Sequence, residues 1–129
     1  MHKGFLQISA IAGALAVAMG AFGAHALKKL VNEAVVTIFE TGVRYQFYHV
    51  FALALAGLLY GDFSNKWILW SGNLFIAGMV LFSGSLYMLT YVKAAEKSGM
   101  NWIGIITPLG GLAFIAGWIC MLIGVLKTG

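Results

Sequence analysis

Two histidines are the sharpest chemical candidates in this chain. His25 and His49 sit at the edge of, or inside, long apolar runs, where an ionisable side chain is costly and calls for a partner. If the helices carrying them run antiparallel, both imidazoles reach one level and could ligate a haem or hold a metal. A metal would need a third ligand of suitable type, and the acidic residues Glu33 and Glu40 belong to a separate polar stretch. The single cysteine, Cys120, leaves no disulfide framework and no thiolate cluster, and its apolar surroundings read as inert. Histidines held in one tautomer by Tyr45, Gln46 or Ser85 account for the pair without any bound group. No cofactor and no metal are therefore expected. No nucleophile–base arrangement stands out either, because Ser83 and Ser85 lie in Phe-Ser-Gly-Ser-Leu, which differs from a Gly-x-Ser-x-Gly elbow. The chain reads as leaning away from enzymes.

The polar residues inside apolar runs gather by depth. Counted from the nearest end of its run, each of Gln46, His49, Ser83, Ser85 and Thr107 falls about 5–10 Å below one membrane surface, at 1.5 Å per residue. Tyr45 and Tyr87 neighbour the same cluster. The other half is apolar apart from Ser9 and Asn73. Such side chains can knit helices together at about 0.6–2 kcal/mol each, or they can line an aqueous vestibule. A second pattern is packing surface. Ala12, Ala16, Gly20 and Ala24 recur every four residues, Gly57 and Gly61 repeat the spacing, and so do Ala113 and Gly117, which lets a neighbouring backbone approach closely. Pro108, beside Thr107, Gly110 and Gly111, removes one backbone donor and marks a local weak point.

These residues need elements to carry them, and composition says which. Hydrophobic residues make up 61% of the 129-residue chain and charged residues 9%, with a mean hydropathy of +0.92. A soluble domain carries about 25% charged residues, so a soluble body of this size could not cover its surface. Disorder is excluded by the same figures. The expected fold is all-α: an integral membrane four-helix bundle forming one domain. A span needs about 20 apolar residues, and four segments qualify, at about 5–24, 43–60, 67–90 and 102–126. Ala24-His25-Ala26 has the form of a signal-peptidase site, but the apolar run before it is longer than a usual signal core, so this segment reads as a retained span. Between the first two spans, residues 27–42 repeat apolar side chains at helical spacing, with Lys28, Lys29, Glu33 and Glu40 on the rest. That pattern predicts an amphipathic helix lying in the headgroup layer.

Four spans place both termini on one side, with Lys3, Lys66 and Lys127. The other side carries Lys28, Lys29, Arg44, Lys93 and Lys97, so the positive-inside rule puts loops 25–42 and 91–101 in the cytoplasm and the termini outside. The net charge of +4 belongs to membrane loops. It implies lipid contact and no nucleic acid.

Several motifs resemble those of a known family. They are the stretch from Gly20 to Leu27 (Gly-Ala-Phe-Gly-Ala-His-Ala-Leu) and the stretch from Thr41 to His49 (Thr-Gly-Val-Arg-Tyr-Gln-Phe-Tyr-His). Leu81 to Tyr87, Ile106 to Gly111, and Gly117-Trp118 follow in order. The chain is similar, over nearly its whole length, to the bacterial domain of unknown function 423 family, and also to the eukaryotic transmembrane protein 256. The resemblance implies a multi-pass helical protein of the inner (plasma) membrane and brings no biochemical activity with it. The expected role is a non-enzymatic module that binds lipid or a partner membrane protein, or associates with itself. One alternative is a small transporter or channel whose vestibule is lined by His25, Gln46, His49, Ser83, Ser85 and Thr107. Another is a redox protein built on the two histidines.

Overall fold

The computed structural model describes residues 1–96 and 102–127, and among these there are helices and turns but no strand. Helix α1 runs Lys3–Ala24. His2 caps it, its Nδ1 accepting from the Phe5 N–H at 3.0 Å while its ring stacks on Phe5. A single 3-10 turn, Leu27–Lys29, follows. Helix α2 then runs Glu33–Leu59 without a break. Helix α3 (Lys66–Gly78) passes through a π-helical segment, Met79–Ser83, into α4 (Gly84–Ala94). Helix α5 is Ile103–Lys127, with Pro108 inside it. Of the expected loop 91–101, residues 97–101 lie outside the described residues.

Three of these stretches, Lys3–Lys29, Lys66–Ala94 and Ile103–Lys127, are long and apolar enough to cross a membrane. Helix α2 is about 40 Å long at 1.5 Å per residue, but it carries Arg44, Gln46 and His49. It lies at the centre, packing on α1, α3 and α4 and burying residues along its whole length from Val35 to Gly57.

The separate amphipathic helix expected at 27–42 is therefore corrected. Apart from the 3-10 turn, that stretch is the first part of α2. Asn32 starts the helix, its Oδ1 accepting from the Val35 N–H at 3.0 Å, and Glu33 complements the dipole of the first turn. Thr37 and Thr41 donate their hydroxyls to backbone carbonyls four residues back, so neither breaks the ladder. Gly42, the last residue of that stretch, serves packing. A Cβ there would come within 2.9 Å of the Tyr87 ring. The apolar side of this stretch faces protein: Val36, Phe39 and Val43 cluster with Leu27, and Phe39 sits against Gly23 of α1.

The second correction is the π-helical segment within the expected third span. It lies where α5 comes closest, with Gly110 set directly against the Phe82 backbone. Along α5 this close approach repeats every seven residues. A Cβ on Gly117 would come within 2.7 Å of the Phe75 ring, and one on Gly124 within 2.6 Å of Ile68. In return the Phe114 ring of α5 fills the space beside Gly78, and Phe5 of α1 does the same at Gly72. A glycine spacing of seven keeps one face of α5 against its neighbour over the whole length. Asn65 closes the far end, donating from Nδ2 to the Gly124 carbonyl at 2.9 Å. The main core, including Phe5, Leu53, Ile68, Phe75 and Phe114, lies along this axis. Large apolar side chains such as Ile11, Val17, Phe51, Leu112 and Leu122 point outward, an apolar coat that would be an aggregation patch on a soluble protein.

Candidate functional site

The interior polar residues form four separate hydrogen-bonded sets. In the first, the Gln46 side chain of α2 bridges two helices. Its Nε2 donates to the Ala12 carbonyl of α1 at 2.8 Å, and its Oε1 accepts from the Tyr87 hydroxyl of α4 at 2.6 Å. In the second, His49 is held on both edges. Trp118 of α5 can only donate, and its Nε1–H reaches His49 Nε2 at 3.1 Å. The ring proton therefore sits on Nδ1 and is given to the Tyr45 carbonyl at 2.8 Å. Phe114 stacks flat on the same ring, 3.5 Å between centroids at 8°. In the third, Ser83 donates to the Gly42 carbonyl at 2.6 Å, and in the fourth the hydroxyls of Ser85 and Thr107 meet at 2.5 Å. Two serines elsewhere, Ser9 and Ser71, have buried hydroxyls without a partner among the described residues.

The expected pairing of His25 with His49 is not formed. Gly20 of α1 faces Val43 of α2, and Gly13 faces Val50. That register puts His25 level with about residue 38, roughly 16 Å along the axis from His49 at 1.5 Å per residue. His25 is exposed at the end of α1. With α2 starting at Glu33 instead of near Val43, Gln46 and His49 lie 13 and 16 residues past the start of their helix. Both His49 nitrogens are engaged, so neither is free to bind a metal. Among the described residues no group of three or more His, Cys, Asp or Glu converges on a point. Tyr45 contributes its carbonyl, while its ring lies exposed against Phe82 and Tyr48. Of the small-residue positions, Ala16, Gly57 and Gly117 are buried, Ala12, Gly20 and Ala113 half-buried, and Ala24 and Gly61 exposed at helix ends. Trp118 and Phe114 were the residues sequence reasoning missed. The signals were the Gly117-Trp118 motif, the spacing of four between the two on α5 and the need of an indole N–H for an acceptor.

With the interior sets closed, the open features lie at the seam between α1 and α4. A groove of about 210 Å³ runs between Ile8 and Ala12 of α1 and Ile76, Met79, Val80, Gly84 and Tyr87 on the opposite wall, with Gln46 at its floor. Its only side-chain polar groups, on Gln46 and Tyr87, are bonded to each other. A Cβ on Gly84 would meet nothing within 4 Å. At the end of the molecule where α2 begins and α4 stops, a cavity of about 190 Å³ is lined by Asn32, Val35, Lys93 and Glu96 among others. A neighbouring one of about 310 Å³ shares Val31 with it and is lined also by Lys28 and Glu33.

Comparison with known proteins places this architecture. The family model described as Protein of unknown function (DUF423) matches residues 19–111. The chain belongs to that family. Its relatives carry the family name UPF0382. The UPF0382 membrane protein YwdK of Bacillus subtilis (strain 168) is 39% identical over 126 residues, covering 97% of this chain and 98% of its own. A UPF0382 membrane protein of Staphylococcus aureus (strain bovine RF122 / ET3-1) is 38% identical over 125 residues, 97% of each chain. The UPF0382 inner membrane protein YgdD of Escherichia coli (strain K12) is 37% identical over 122 residues, 95% of this chain and 88% of its own. No solved structure matches significantly. A UPF0382 member with three apolar helices is a membrane protein, and the family brings no named activity to the seam.

Proposed function

We propose that this protein is a non-enzymatic membrane module that holds a lipid alkyl chain in the seam between α1 and α4. The observation that carries the reading is the groove itself. It is open beside the apolar coat, and its two polar side chains, Gln46 and Tyr87, satisfy one another. Such a groove suits an alkyl chain and presents no free acid, base or nucleophile. In this reading the chain crosses the inner (plasma) membrane four times, α2 making the additional span, and the start of α2 with the 3-10 turn lies in the headgroup layer. The longer loops face the cytoplasm, where Lys28, Lys29 and Lys93 favour them.

Gly84→Leu tests it. Gly84 lines the groove, and the Cβ of the new side chain meets nothing within 4 Å. Protein extracted gently from its own membrane is expected to retain lipid in native mass spectrometry, and Gly84→Leu to lose it with the fold intact. Equal retention by both proteins would sink the proposal. Water-accessible labelling of cysteines placed at positions 46 and 83 would favour a hydrated vestibule instead.

A further inference from the structure

The groove and the cavity at the end of α4 lie on one line. Tyr87 lines the groove and Ala94 the cavity. They are seven residues apart, so they share a face of α4 and sit about 10 Å apart along it. Helix α2 repeats the relation independently, because Gln46 at the groove floor and Val35 in the cavity are eleven residues apart, close to three full turns. The Tyr87 ring of the groove wall packs on Phe39, their centroids 5.1 Å apart. Counted along α4 or α2, the polar opening and the apolar one lie about 10–16 Å apart, roughly a third to a half of the roughly 30 Å hydrocarbon core.

The charges at the polar opening name its ligand class. A site for an anionic headgroup would gather cations alone. Among the described residues that line it, Lys93 is accompanied by Glu96, two residues past the end of α4 in the left-handed conformation (φ 55°). The adjoining cavity repeats the match with Lys28 and Glu33. Resting on the lipid-binding reading above, we infer that the Lys93–Glu96 cavity receives a phospholipid headgroup that carries both a phosphate and a primary ammonium. Lys93 donates to the phosphate, Glu96 accepts from the ammonium, and one acyl chain runs along the α4 face into the groove.

The test offers the full-length protein in detergent an equimolar mixture of dioleoyl phosphatidylethanolamine, dioleoyl phosphatidylglycerol and dioleoylglycerol, read by native mass spectrometry. Wild type is expected to retain the ethanolamine lipid about tenfold over the other two, the ratio that loss of one charge-assisted hydrogen bond gives. Glu96→Gln is expected to remove that preference while keeping dioleoylglycerol bound. Glu96→Lys, which leaves a purely cationic opening, is expected to reverse it toward the glycerol lipid. Equal retention of all three by wild type, or a preference unmoved in both variants, would overturn the headgroup assignment and leave the groove standing. Retention of none would overturn the groove reading itself.

Discussion

The seam between α3 and α5 and the seam between α1 and α4 use glycine to opposite ends. Along the first, Gly78, Gly110, Gly117 and Gly124 each have the space of their missing side chain occupied by a ring, a branched chain or a backbone. Along the second, Gly84 has nothing beside it. In lipid the hydrophobic effect gives little drive between helices, so close packing must supply association. A seam packed to contact is therefore structural, and an unfilled seam in the same molecule marks where something else fits. The polar residues follow the same division. His49, Ser83 and Ser85 are buried and bonded on the packed side, and the Gln46–Tyr87 pair forms the floor where packing stops.

The contrast predicts a graded series of substitutions. The largest effect is expected at Gly110, where a Cβ would come within 2.7 Å of the Phe82 Cα. Gly110→Leu should cost about 3 kcal/mol or more, the upper range for overpacking, measured as a fall in unfolding midpoint in detergent; a stability equal to wild type would dissolve the distinction between the seams. Next comes Gln46→Leu, which leaves the Tyr87 hydroxyl without its acceptor and should cost about 1–3 kcal/mol. Gln46→Glu, read in the same denaturation series, should recover more of that loss in acid than at alkaline pH, since only a protonated carboxyl can donate to the Ala12 carbonyl while accepting from Tyr87. Trp118→Phe should be milder, at about 1 kcal/mol, because His49 keeps its bond to Tyr45 and its stack on Phe114. The smallest effect is expected at His25, exposed at the end of α1. His25→Ala should stay within about 0.5 kcal/mol of wild type, and a loss comparable to that of Gln46→Leu would restore it to the buried network.

Much of the fold was legible before any coordinates because the apolar runs are long and nearly free of charge. The run that begins at Phe5 and the one that ends at Leu126 need no tertiary knowledge to be read as helices. Helix α2 was misread because its decisive feature lies elsewhere in the chain. Gly42 reads as a boundary until Tyr87 is known to rest on it. Moving the helix start from about Val43 to Glu33 sets every residue on it about 15 Å further from that start at 1.5 Å per residue, which is why His25 and His49 do not share one level. Gln46 and the two serines were recognisable as polar groups in apolar runs, but their partners were not. The donor to His49 is 69 residues away in sequence, and spacing carries no information over that distance. The open seam was invisible for the same reason, since a groove is a property of two helices that fail to touch.

The link from Gln46 to the Ala12 carbonyl has a bearing on how the chain is made. Helices reach the bilayer in the order of synthesis, so α1 enters before its main partner exists. It can wait there alone, because nothing between Lys3 and Lys28 carries a carboxylate or a lysine or arginine charge. Helix α2 could not wait so well, having an amide and an imidazole deep in its length. When it arrives, the Ala12 carbonyl is already in place to receive the Gln46 amide. Trp118, which completes the imidazole, comes last of all, with α5. In the four-span reading proposed above, order along the gene thus gives the most polar helix its first partner, α1, as soon as it enters.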